Sequence, residues 1–341
     1  MKRRSFLQLL ASTAAAKWQP VTTIADWQKR RAAILDAARQ IMGPLPGAEK
    51  RCALDVQVSE EVDCGSHVRR LLTYASEPGS RTPAYLLIPK TALAGKPAPA
   101  ALCLHGTNNE IGHAVVIEGL GNKTPNRQYA SELAERGFVT LAPNYPMLAK
   151  YQPDIFALGY ASGTMKAIWD NIRGLDLLDS LREVKHGAYG TIGHSLGGHN
   201  SVYTAVFDDR IKAVVSSCGL DSYRDYMGGD PKRWEHGQGW CQDRYMPKLA
   251  EYRGRLDEIP FDFDELLAAL APRDVFISAP LEDANFKWQS VDRVTQAARE
   301  VYALFGAGDK LVVEHPGGPH DFPDAVREKA YAFLTQVLAK A

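Results

Sequence analysis

Residues Gly193-His194-Ser195-Leu196-Gly197-Gly198 set a serine among glycines. The short apolar run Tyr189–Ile192 precedes them and the helical stretch Leu196–Phe207 follows. A strand that bends within one residue into a helix needs glycine where a side chain would clash. Such a strand–turn–helix with the pattern G-x-S-x-G lifts the serine hydroxyl above the carboxyl edge of a sheet. A serine that merely caps a glycine-rich helix start is the plainer reading. The apolar strand directly in front favours the exposed nucleophile.

The rest of the chain supplies the sheet. Ile24–Met42 carries Ile24, Trp27, Ile34, Ala38 and Ile41 roughly at helical spacing and ends at Gly43-Pro44. Strand-like runs follow at Cys52–Val58, Val68–Tyr74 and Ala84–Ile88, parted by turn residues such as Glu77-Pro78-Gly79-Ser80. They read as antiparallel strands that open a sheet. From Pro99 onward, short apolar strands (Ala100–Leu104, Phe138–Ala142, Tyr189–Ile192, Ile211–Val215, Arg273–Ser278, Leu311–Glu314) alternate with helices. The helices are expected at Tyr129–Arg136, Thr164–Leu181, Leu196–Phe207, Val291–Leu304 and Phe322–Ala339. That rhythm predicts an α/β architecture, a mostly parallel, doubly wound sheet covered on both faces. It divides the chain into a leader-like segment 1–16, a helical segment 17–50 and a catalytic-type domain 51–341. Between the strands at 211–215 and 273–278 the alternation breaks. Residues of about 220–270 are aromatic and irregular, as in a cap or pocket wall.

Forty basic side chains balance forty acidic ones, so the basic excess that would favour nucleic acid is missing. No apolar run approaches the roughly 20 residues that span a bilayer, so stable membrane insertion is not expected.

A serine hydroxyl is a weak nucleophile and needs a base. In a sheet of this kind the order along the chain is serine, acid, histidine. Of nine histidines only His315 and His320 follow every plausible acid. His320, in the loop Gly317-Gly318-Pro319-His320, is the better placed to swing over the sheet edge. Glu282 and Asp283 both follow the strand at 273–278, and Asp283 is favoured. The acid would hold the imidazole tautomer and stabilise the imidazolium. An oxyanion needs donors. The N–H of Leu196, next to the serine, is one. The N–H of Thr107, in His105-Gly106-Thr107 after the strand Ala100–Leu104, is the other. His105 reads as a structural residue of that loop.

These segments, with Gly137-Phe138-Val139-Thr140-Leu141-Ala142-Pro143-Asn144-Tyr145-Pro146 and Ala279–Phe286, resemble the dienelactone-hydrolase-like and acetyl-xylan-esterase-like branch of the α/β-hydrolase superfamily. The resemblance spans most of residues 50–340. It implies the α/β-hydrolase fold, the assignments Ser195, Asp283 and His320, and no cofactor. Dienelactone hydrolases proper use cysteine where this chain has Ser195, so hydrolysis of a small carboxylic ester is the expected activity. A prolyl-peptidase-like serine peptidase and a non-catalytic binding protein are the alternatives. No metal is expected either: His194 and His199 are not at the i, i+4 spacing of a zinc helix.

Trp234, Trp240, Tyr223 and Tyr226 in the insert could stack on a sugar ring, or could simply pack the insert. Cys52 and Cys64 lie near neighbouring strands and could pair in an exported protein; Cys103 reads as core. Arg3-Arg4-Ser5-Phe6-Leu7 and Ala14-Ala15-Ala16 are similar to a twin-arginine signal and its cleavage site, which would place the protein in the periplasm or outside the cell; the plainer reading is a frayed basic terminus on a cytoplasmic protein.

Overall fold

Three antiparallel strands lead into six parallel ones. The computed structural model describes residues 21–120 and 124–340; the leader-like segment 1–16 lies outside them. The strands are β1 (Gln57–Asp63), β2 (His67–Glu77), β3 (Ser80–Pro89), β4 (Ala98–Leu104), β5 (Val139–Pro143), β6 (Val184–His194), β7 (Ile211–Ser217), β8 (Asp274–Ser278) and β9 (Leu311–Glu314). They form one sheet in the order β1-β2-β3-β5-β4-β6-β7-β8-β9. β1, β2 and β3 pair antiparallel, and β3 pairs antiparallel with β5. β4 to β9 are parallel.

The helices are α1 (Ile24–Met42), α2 (Lys90–Leu93), α3 (Tyr129–Glu135), α4 (Gly163–Asp179), α5 (Leu196–Phe207), α6 (Phe263–Ala268), α7 (Trp288–Leu304) and α8 (Asp324–Leu338). No helix among the described residues is long and apolar enough to cross a membrane. The apolar strands are buried because each face of the sheet is covered. On one face Leu102, Leu141 and Val214 join Ile168, Trp169 and Val202 in a single cluster that also takes in Trp27 and Ile34 of α1. On the other, Cys103, Ile192 and Val215 meet Tyr129, Leu133, Tyr331 and Leu334 of α3 and α8. From β4 the chain moves to β5 on one side and then returns to β6 on the other. Crevices at the carboxyl ends of strands flanking such a reversal are where open α/β sheets bind ligands.

Two expectations need correction. The first strand forms at 57–63 rather than 52–58. It is an edge strand with almost every side chain exposed, so no buried face stamps an alternation on it. The Cys52–Cys64 pairing is not made: both thiols are free. Cys52 precedes β1 and Cys64 follows it, so a seven-residue strand lies between them. At about 3.3 Å per residue that exceeds the roughly 7 Å Cα limit of a disulfide.

The insert between β7 and β8 is ordered by its own aromatic core and bonded to the body. Tyr203 of α5 stacks on Phe263, and its hydroxyl lies 2.9 Å from that of Tyr223. Arg31 of α1 donates to the carbonyl of Ala269 at 2.9 Å.

Candidate active site

Ser195 stands at the junction of β6 and α5 with φ +56° and ψ −121°, a conformation that non-glycine residues avoid and that clusters at functional sites. The flanking glycines make the bend possible. A methyl group at Gly197 would fall 1.8 Å from the carbonyl oxygen of Leu104, and one at Gly193 would fall 2.2 Å from Gly197. The Ser195 N–H donates to the carbonyl of Ser217 at 2.8 Å, which ties the bend to the end of β7. The Leu196 N–H opens α5, where no carbonyl four residues back within the helix can take it.

The loop after β4 closes on this bend. A methyl at Gly106 would lie 3.2 Å from the His194 carbonyl and 3.7 Å from Ser195 Cβ. His105 is buried and accepts the Tyr145 N–H at Nε2, 2.9 Å away. Its proton is therefore on Nδ1, which lies 2.7 Å from the carbonyl of Gly106 and donates to it. Burial, against the bonds to Gly106 and Asn144, brings its pKa down to about 4, so the ring is neutral and structural.

Asp283 and His320 meet above the same edge. His320 Nδ1 donates to Asp283 Oδ2 at 2.8 Å. Asp283 Oδ1 accepts the N–H groups of Asn285 at 2.7 Å and Phe286 at 3.1 Å. Burial by itself would raise this carboxyl; the His320 bond and charge and the two N–H donors outweigh it and hold it below the usual range. The loops that carry Asp283 and His320 are laced together: the N–H of Leu281 donates to Pro316 at 3.0 Å, and that of Glu282 to Gly318 at 3.1 Å. Glu282 is exposed. His315 is spent on this lacing, with Nδ1 2.8 Å from the Ala279 carbonyl and Nε2 2.9 Å from Asp292. The His320 ring packs edge-on against His194, centroids 4.8 Å apart, which puts the imidazole beside the serine's bend.

The next shell was not foreseen. Asp321, after His320, accepts Arg127 at 2.5 Å and Asn126 at 2.6 Å, and the Cys218 thiol donates to its carbonyl at 3.3 Å. Cys218, Asp283 and His320 are also the three side chains, among the described residues, whose donor atoms converge within 4.8 Å as metal ligands could.

The aromatic candidates divide. Tyr223 and Trp234 are wholly buried. Tyr223 sits edge-on to Trp234, Trp240 and Phe261, so both residues build the insert and offer no stacking face. Tyr226 is partly buried, and Trp240 is buried behind it, 4% exposed, with the two ring centroids 5.6 Å apart. They continue a run of ring contacts from His320 to α5: by ring centroids Phe286 lies 5.9 Å from His320, Tyr226 5.8 Å from Phe286, and Trp240 4.5 Å from His199 of α5.

The strand order, the bend at Ser195 and the Asp283 and His320 loops at the carboxyl edge are those of the α/β-hydrolase fold. The chain is an α/β-hydrolase. A family profile described as glucuronyl esterase, fungi, matches residues 153–306, which contain Ser195, the insert and Asp283. YtaP of Bacillus subtilis (strain 168), which bears the name of a hydrolase, is 28% identical over 267 residues, 76% of this chain and 84% of that protein. Carbohydrate esterase MZ0003, from an unknown prokaryotic organism, is 27% identical over 142 residues, 39% of this chain and 31% of that one. The solved structure of a glucuronoyl esterase from Solibacter usitatus superposes with a TM-score of 0.77 at 20% identity, over 94% of this chain and 96% of that one. This α/β-hydrolase is a carboxylic ester hydrolase.

Proposed function

We propose that this hydrolase cleaves a carboxylic ester of a carbohydrate, specifically one in which a uronic acid is the acyl part. The observation that carries the reading is the match of residues 153–306 to the glucuronyl esterase profile, a span that holds the nucleophile's bend, the aromatic insert and the acid loop.

In this reading Ser195 Oγ attacks the ester carbonyl and His320 Nε2 takes its proton. Asp283, held ionised, stabilises the imidazolium through Nδ1. The N–H groups of Leu196 and Thr107 receive the oxyanion. The C–O bond to the alcohol breaks, and the alcohol leaves with the proton from His320. Water activated by the same imidazole then attacks the acyl-serine and releases the free acid, with Ser195 restored. Tyr226, backed by Trp240, forms the wall nearest the acyl group. Export through the signature at residues 1–16 would bring the enzyme to polymeric substrate.

The test is turnover of a benzyl or methyl glucuronate ester by the full chain, against acetylated xylan, p-nitrophenyl acetate and a peptide amide panel. Preferential hydrolysis of the uronate ester is the expected result. Cleavage of acetylated xylan with none of the uronate ester would transfer the reading to acetyl sugars, and cleavage of amides alone would make the chain a peptidase.

A further inference from the structure

We propose that Tyr245 is a positioning residue for catalysis: its hydroxyl latches the Thr107 loop, so that the insert sets the geometry of the oxyanion donors. The inference rests on the ester-hydrolase reading of Ser195.

Four sets of contacts converge on it. The Tyr245 hydroxyl lies 2.8 Å from Thr107 Oγ1. Arg244 beside it donates to Asn109 Oδ1 at 2.9 Å, so two consecutive residues of the insert grip one loop. The Tyr245 ring packs on the cluster of Tyr145, Leu148, Ala167 and Leu196, which places one side chain between the two residues assigned to donate to the oxyanion. The grip is itself anchored. Gly163 and Thr164, at the start of α4, donate to the carbonyls of Asp243 at 2.8 Å and Tyr245 at 3.2 Å, and the Tyr145 hydroxyl donates to that of Arg244 at 2.7 Å. A methyl at Gly163 would fall 2.4 Å from the Arg244 oxygen, so glycine is what permits the approach.

The peptide unit between Gly106 and Thr107 is thereby held from both ends. His105 bonds its carbonyl at 2.7 Å, and Tyr245 holds the side chain of the residue that bears its N–H. In a planar trans peptide the carbonyl and N–H point oppositely. Fixing the carbonyl and the Thr107 side chain therefore aims the N–H. Donors preorganised in this way contribute because they need no reorganisation as charge develops.

The experiment compares wild type, Y245F, T107V and the double variant on p-nitrophenyl acetate and on methyl glucuronate, with Ser195 labelling by a fluorophosphonate as a readout that needs no ester. Removing an oxyanion donor outright costs around 10²–10³ in turnover, so loosening one is expected to lower kcat about 10-fold. The loss should be equal on both esters, with KM and the melting temperature little changed and labelling slowed in parallel. Y245F should add nothing in the T107V background, because the two side chains act as a unit. An unchanged kcat in Y245F, a loss confined to one ester, or full additivity with T107V overturns the latch. A wild type that hydrolyses p-nitrophenyl acetate but not the uronate ester removes the substrate reading and leaves the latch to be judged on the acetate. A wild type that neither turns over an ester nor labels removes both.

Discussion

His194 and His320 meet edge-on with their ring centroids 4.8 Å apart, so the residue before Ser195 is also a wall for the imidazole of His320. His194 is buried, and its Nδ1 lies 3.1 Å from Ser217 Oγ. Burial, then the charges of Arg127 and His320, lower its pKa well below the ordinary value. It can therefore lie against an imidazolium without adding a second charge. We expect H194A to keep Asp283 bound to His320 but to let the ring drift. A misplacement on the order of 1 Å can cost about 10² in rate, and kcat should fall toward that extent with KM nearly unchanged. A variant with wild-type kcat would show that the packing has no part in aiming the base.

Asp283 is expected to matter through the tautomer it enforces. Its Oδ2 accepts the Nδ1 proton of His320, and its Oδ1 is occupied by two N–H groups. An amide at 283 could present its NH₂ to Nδ1 and move the ring proton to Nε2, where the serine needs an acceptor. D283N should lower kcat by about 10³–10⁴ with the fold intact. E282Q, at the exposed neighbour, should change it less than about 2-fold, since surface substitutions are usually near-neutral. Steady-state kinetics with a melting control decide it, and the reverse ranking would reassign the acid.

What could be read from the sequence was what local sterics or chain order enforce. Gly193 and Gly197 announce the bend because any side chain there would enter the backbone of Gly197 or of Leu104. The meeting of Asp283 with His320 follows from the order in which parallel strands present their carboxyl ends. Strand β1 was displaced because an edge strand exposed on both faces has no alternation to display. For Tyr223 and Trp234 stacking and packing stayed open, because an irregular insert has no period to tell its inside from its outside. Tyr245 and Asp321 act through contacts with Thr107 and Arg127, 138 and 194 residues away in the chain. No spacing rule reaches that far.

Asp221 gives the protein a predictable alkaline weakness. It is almost wholly buried. Its Oδ2 accepts the Lys287 N–H at 3.1 Å, while Oδ1 has no hydrogen-bond partner among the described residues. Burial first, then the charges of Asp225, Asp262 and Asp283 against the Lys287 bond, push its pKa up from 3.8 to about 8. Between those values the folded chain holds a proton that the unfolded chain has released. Stability therefore falls as pH rises through the window and levels off above about 8. D221N cannot ionise, so its melting temperature should decline less than that of wild type between about pH 5 and 9, with the two curves drawing together near pH 4. Parallel curves would mean that Asp221 ionises freely in the folded state.

The last prediction concerns charges buried far from the chemistry. Lys166 of α4 is wholly inaccessible and lies 3.2 Å from Glu77 Oε1, bonds Asp170, and reaches Ser76 Oγ at 3.0 Å. Glu77 also takes Lys50 at 2.6 Å and the Tyr160 hydroxyl at 2.8 Å, and Asp170 takes the Tyr151 hydroxyl at 2.9 Å. Two cations thus face two carboxylates, all hydrogen-bonded. Methionine at 166 would fill the volume and leave Asp170 without its cation, and breaking such a pair from one side costs about 3–5 kcal/mol. Replacing the set together with apolar residues of similar size is often neutral or stabilising, because the desolvation cost disappears as well. K166M is therefore expected to be destabilised by about that amount in denaturant unfolding, and K166M/D170L, in which Glu77 keeps Lys50 as its cation, to recover a good part of it. Ester turnover per folded molecule should stay near wild type in both. A double variant weaker than K166M would show that the Lys166–Asp170 pair stabilises the fold beyond satisfying its own charges.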